Sequence, residues 1–290
     1  MNYGLPYQGS KSAIAEWLVG VLPESHTLVD LFAGGCAVTH AAIASGKFEH
    51  VMANDITAAP RVFASAIAGD FEGYATVPER SDFFETDDMV IRLLYSFGND
   101  KSSYLWSPEI EGLKVAASKM LSAPSLHERR MHFKAFCERL GGGFFESMSN
   151  AGDLERLKKL QGLEGLERLQ SLERIQGVER LEVFQSDYRL VQVPAGATVY
   201  ADPPYRSTAN SRRYTGEGAA FDFEAFDSWL ASVPFPVFVS EYDAPAGCIE
   251  YAATTRSSSM AAITNVKRVE RVYIQDRFAS EIASMKGTLF

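Results

Sequence analysis

What this chain lacks narrows it first. Its three cysteines, Cys36, Cys137 and Cys248, stand far apart with no paired spacing, which argues against a disulfide scaffold and against a thiolate zinc framework. The five histidines are scattered, and the spacing of His127 and His132 suits a solvated helix better than a metal site. No apolar run reaches membrane-spanning length. The opening residues Met1-Asn2-Tyr3-Gly4-Leu5-Pro6 lack the charged and apolar regions of a signal peptide. The expectation is a reduced, cytoplasmic protein without membrane or metal. Positive charge is also scarce: the net charge is −9. Phosphate binding needs positive potential only locally, and basic residues do cluster, as Arg129, Arg130, Lys134 and Arg139, as Arg206, Arg212 and Arg213, and as Lys267, Arg268 and Arg271.

What is present centres on Val199-Tyr200-Ala201-Asp202-Pro203-Pro204-Tyr205. A buried strand is expected to end at Asp202, because two successive prolines cannot donate to a ladder. That places a carboxylate, a stiff turn and an aromatic ring at the carboxyl edge of a sheet, where open α/β sheets bind ligands. Fixed proline φ angles set the directions of the Asp202 and Pro203 carbonyls. Such a corner can accept both hydrogens of an exocyclic amine while Tyr205 stacks on the attached ring.

Upstream, Thr27–Phe32 reads as a buried strand and Ala33-Gly34-Gly35-Cys36 as a tight turn into a helix from Ala37. His50–Asp55 reads as a second strand, with an acid at its end suited to ribose hydroxyls. The turn does not match the spaced three-glycine fingerprint of a nicotinamide-dependent dehydrogenase. Tyr7-Gln8-Gly9-Ser10-Lys11 opens a helix that Ser10 or Ser12 is expected to cap. Pro78, Pro108, Pro124 and Gly141-Gly142-Gly143 interrupt the middle of the chain, where helices are expected around Asp87–Tyr95, Pro108–Leu121 and Ser125–Leu140. From Leu154 to Leu181 an apolar residue recurs at every third position, a period that keeps no helical face apolar. Strands are expected again at Glu182–Tyr188 and Pro236–Tyr242, and a closing hairpin at Ile249–Thr255 and Arg268–Gln275.

Together these motifs resemble the Dam-type (alpha-group) N6-adenine DNA methyltransferases, over roughly Tyr3–Phe71 and Glu182–Gln275. The resemblance implies a Rossmann-like α/β fold, dependent on S-adenosylmethionine, with an inserted, mainly helical target-recognition subdomain. The expected boundaries are 1–72 and 180–290 for the catalytic domain, 73–150 for the insert and 151–180 for a leucine-repeat connector. It implies methyl transfer to the N6 amine of an adenine flipped out of a specific sequence in double-stranded DNA. Asp202, Pro203, Pro204 and Tyr205 would be the catalytic motif. Tyr7, Gly9, Lys11, Asp30, Phe32, Gly34, Asp55, Asp187 and Asp202 would line the cofactor site, and Lys101, Arg206 and Arg213 would contact DNA. A monomer in a bacterial or phage-infected cell is expected, and a cognate restriction endonuclease is a conceivable partner. RNA as substrate, or a catalytically silent DNA-binding relative, are the alternatives. Cys36 stands where the family usually has glycine, a departure that bears on cofactor packing.

Overall fold

The computed structural model describes residues 3–69, 77–140, 172, 177–206, 221–257 and 267–287. They fall into two compact units: Met1–Gly4, Lys11–Arg61 and Gln176–Phe290 form one, Leu5–Ser10 and Val62–Ile175 the other. The leucine repeat lies almost wholly outside the described residues.

The first unit is built on seven strands: β1 (Thr27–Asp30), β2 (His50–Asp55), β3 (Leu181–Gln185), β4 (Thr198–Ala201), β5 (Val237–Glu241), β6 (Cys248–Ser257) and β7 (Lys267–Gln275). Their order across the sheet is β3-β2-β1-β4-β5-β7-β6. Strands β1 to β5 pair in parallel, whereas β7 runs antiparallel to both β5 and β6. Every residue of β1, β4 and β5 is buried, as continuous apolar runs require when both faces of a parallel sheet are covered. One face packs Val29, Leu31, Val199, Ala201, Val237 and Val239 against Phe226 and Leu230 of helix α8 (Phe223–Ser232). Helices α1 (Ala15–Val21) and α2 (Ala37–Ser45) pack against each other, and α2 against β1 and β2. The chain leaves β1 towards β2 on one side, and β4 starts the other side. The reversal falls between β1 and β4, where such sheets open a ligand crevice. The Rossmann-like α/β architecture is as the resemblance implies.

One local expectation is overturned. Helix α1 starts at Ala15 behind Ile14, which makes no side-chain cap. Ser12 Oγ accepts the Tyr3 N–H at 2.7 Å, a long-range contact.

The second unit contains α4 (Arg80–Glu85), α5 (Met89–Leu94), α6 (Pro108–Ser122), α7 (Leu126–Leu140) and most of α3 (Ala59–Ala68). Pro108 sits in the first turn of α6, where its missing N–H costs nothing. Ser125 and Glu128 bond reciprocally at the start of α7, forming a capping box. Phe83, Tyr95, Tyr104 and Trp106 are buried together. Arg80 is held among them by two bonds to Glu111, and its guanidinium lies 4.9 Å from the Tyr104 ring.

Between α5 and α6 an antiparallel bridge, Ser96 to Tyr104, closes a short loop. Asn99 and Lys101 both take positive φ there, +57° and +65°, a conformation costing about 1–2 kcal/mol for a residue with a side chain. Local bonds hold it. Asn99 Nδ2 donates to the Leu93 carbonyl, the Lys101 N–H to Ser96 Oγ, and the Ser102 and Ser103 N–H groups to Asp100 Oδ1. Phe97 is left 69% exposed at the tip.

Candidate active site

The prolines after β4 end the strand as expected, and Asp202 emerges at its carboxyl edge. One carboxylate oxygen, Oδ2, pairs with Lys11 Nζ at 3.0 Å. The other, Oδ1, is buried and has no hydrogen-bond partner among the described residues. Burial raises the Asp202 pKa above the usual carboxylate value, and Lys11 opposes that rise. A carboxylate oxygen kept from water without a donor is costly, so this atom is poised for a donor from outside.

Tyr205 is held from several directions. Its hydroxyl donates to Glu270 Oε2 at 3.2 Å, Lys11 Nζ stands 4.5 Å from its ring centroid, and the Tyr242 ring meets it at 4.6 Å and 85°. Glu241, at the end of β5, accepts the backbone N–H groups of Arg206 and Tyr242 at 3.1 and 2.9 Å. The turn that carries Tyr205 is therefore tied to the neighbouring strand.

Asp30, at the end of β1, repeats the half-bonded pattern. Its Oδ2 accepts the Thr39 hydroxyl at 2.8 Å, while Oδ1 is buried and unpartnered among the described residues. Desolvation pushes its carboxyl up to about 7, and Asp202 and Asp55 add to the rise by repulsion. Asp55 ends β2 and is well bonded: Oδ2 accepts the Gly34 N–H, and Oδ1 accepts both the N–H and hydroxyl of Thr57. It braces the glycine turn and keeps lone pairs for another donor. Ile56, directly after it, is 54% exposed.

The turn is crowded. Gly4 has φ +69°, and a Cβ there would lie 2.3 Å from the Gly35 carbonyl oxygen and 2.7 Å from the Ala37 nitrogen. Its N–H donates to His40 Nδ1 at 3.0 Å. Cys36 takes φ +58° as it starts α2, which explains on backbone grounds why glycine is at home at that position.

The remaining site residues divide. Phe32 packs 5.0 Å from Tyr188 and 5.8 Å from Phe226. Asp187 follows β3, but Arg189 grips both of its oxygens, at 2.9 and 2.6 Å, and holds its carboxyl below the usual range. Tyr7 and Gly9 belong to the second unit, where Lys101 Nζ donates to the Tyr7 hydroxyl at 2.8 Å. Arg206 is engaged by Asp227 and stacks 4.9 Å from Phe223, and Arg213 lies outside the described residues.

The family model for the D12 class of N6 adenine-specific DNA methyltransferases matches residues 7–244, most of the chain. The chain belongs to that family. Among curated proteins no match was found. The methyltransferase thus acts on adenine N6 in DNA, and the motif-based reading of family and activity is borne out. Among the described residues no helix is long and apolar enough to cross a membrane, and no cluster of three metal-ligating side chains occurs.

Sequence reasoning missed Glu241, Glu270, Thr39 and Ile56 in this methyltransferase. Glu270 had a signal. It shares strand phase with Val272 and Ile274, which are fully buried, so an acid stood in the apolar phase of β7. The pairing of Lys11 with Asp202 had none, since it joins residues far apart in the sequence.

Proposed function

We propose that the methyl donor is S-adenosylmethionine, held at the carboxyl edge of β1 and β2, and that Asp202 and Tyr205 receive an adenine turned out of double-stranded DNA. The observation that carries this reading is the pair of buried, unpartnered carboxylate oxygens, Asp30 Oδ1 and Asp202 Oδ1. One suits a cation and the other an amine. The residues fit the donor's groups: Asp30 its ammonium, Asp55 its ribose hydroxyls, and exposed Ile56 a face of its purine. Asn54 Oδ1, also buried and without a partner among the described residues, is a further acceptor nearby in sequence. When bound, the donor supplies an electrophilic methyl group on sulfur.

The protein's own part is placement. Extruding a base costs a few kcal/mol, and Tyr205 offsets this by packing against the ring. Asp202 Oδ1 and the Pro203 carbonyl accept the two N6 hydrogens, which concentrates electron density on nitrogen and directs its lone pair. Positioning and fixed charge supply most of the catalysis. Asp202 orients and polarises the amine. No covalent enzyme intermediate is required.

In this reading the second unit corresponds to the target-recognition insert. Its 96–104 loop is the first candidate to meet DNA, because an exposed Phe97 on a braced frame is built like the apolar wedges that enter base steps. The test is to express the protein in cells lacking adenine methylation and to read methylated adenines across their DNA. A single sequence context methylated by the wild type and blank with Asp202→Ala is expected. An unmethylated genome from soluble wild-type protein overturns the reading.

A further inference from the structure

We propose that Glu270 is a positioning residue for methyl transfer, fixing the Tyr205 hydroxyl and sharing the charge of Lys11 so that Asp202 stays basic enough to polarise its target. The inference rests on the roles given to Asp202 and Tyr205 above. Glu270 lies outside the motif around Asp202, on β7 at the far side of β5.

The geometry is that of one cation facing two acids. Glu270 is 6% exposed, and its Oε2 accepts the Tyr205 hydroxyl at 3.2 Å. Lys11 forms its ion pair with Asp202 and also faces the charge of Glu270. A buried carboxylate with only a phenol to bond is unfavourable unless a cation is shared with it. Lys11 serves both acids, and neither takes its full charge.

The consequence for Asp202 follows from Coulomb's law. Lys11 lowers the proton affinity of Asp202, and Glu270 raises it. The other charged or titratable groups coupled to this cluster are Asp30 from β1, Tyr200 from β4, and Glu241 and Tyr242 from the end of β5. Glu270 differs from these in both facing the charge of Lys11 and accepting the Tyr205 hydroxyl. Removing its charge leaves Lys11 wholly to Asp202, whose oxygens then become weaker acceptors.

The experiment compares Glu270→Gln, which keeps an acceptor for the Tyr205 hydroxyl but removes the charge, with Tyr205→Phe, which does the reverse. In protein carrying carbon-13 at aspartate carboxyls, without donor or DNA, the Asp202 resonance is assigned by its loss in Asp202→Asn. Its titration in Glu270→Gln is expected to move down by about 0.5–1 pH unit, the effect of one partly screened charge at this range. The acid limb of kcat should move the same way, with kcat lowered about tenfold and KM changed less than about twofold. Tyr205→Phe should lower kcat and move the Asp202 titration up, opposite to Glu270→Gln, because the Tyr205 hydroxyl lowers the proton affinity of Asp202. An unmoved titration in folded Glu270→Gln overturns the proposal. Should that variant not fold, unchanged kcat in Tyr205→Phe overturns it. Wild-type protein that methylates no adenine sinks the reading above and leaves the titration result standing by itself.

Discussion

The carboxyl edge of the sheet and the loop at 96–104 spend hydrogen bonds in opposite ways. At the sheet edge Asp30 and Asp202 each keep a buried oxygen without a partner among the described residues. In the loop, Asn99, Asp100 and Ser96 side chains satisfy backbone groups, and the bonds hold two left-handed residues in place. One region withholds contacts from itself, which the proposed function assigns to ligands. The other uses up its contacts to hold a shape. An edge with spare acceptors must be bought with stability, as active sites generally are, whereas the loop's strain is offset on the spot.

Substitutions can break this contrast. The largest effect is expected at Gly4→Ala. The new Cβ would collide with backbone at 2.3 Å, so urea unfolding should show a loss of at least about 3 kcal/mol. Loss of donor binding should follow, because the glycine turn has to shift. Wild-type stability in this variant would show that the contact at the turn is dispensable.

Asp30→Asn probes the spare acceptor itself. Its native pKa of about 7 exceeds the unfolded value of about 3.9, so the native state holds the extra proton between them. Stability conferred by that proton is complete below about pH 4 and is lost as pH rises towards 7, at a cost on the order of a few kcal/mol. The asparagine variant should therefore melt higher than wild type at pH 8 and like it near pH 4, while binding the donor poorly. A variant less stable at pH 8 would mean that Asp30 is already paid for by the fold.

The loop offers two smaller tests. Asn99→Ala removes a bond and the side chain best suited to positive φ, and should cost about 1–2 kcal/mol. Phe97→Ala, at an exposed tip, should leave stability within about 0.5 kcal/mol but weaken DNA binding measured by titration. Equal DNA affinity would remove the loop from the interface. In Cys36→Gly relief of positive φ opposes the loss of a buried side chain, and the net change in stability should stay within about 1 kcal/mol.

Local patterns were readable. β2 was expected at His50–Asp55 and is found there, because an apolar run bounded by polar residues leaves little choice. The end of β4 just before Asp202 was legible for a similar reason, as prolines terminate ladders wherever they occur. Tertiary choices were not legible. Arg206, a candidate for DNA, is engaged by Asp227 of α8, and Lys101 bonds Tyr7. Helix α4 was unforeseen, being six residues long with too few turns to show a period. The left-handed backbone of Cys36 follows from the crowded turn, and its side chain gives no hint of it.

The placing of β7 between β5 and β6 has a bearing on how the enzyme is made. As the chain leaves the ribosome, β4 and the proposed catalytic corner appear well before the strand that carries Glu270. Until that late hairpin slots in, β5 is an open edge and Tyr205 lacks its bond to Glu270. Unfinished or prematurely released chains would carry the motif without the grip, and would expose a strand able to recruit neighbours into aggregates.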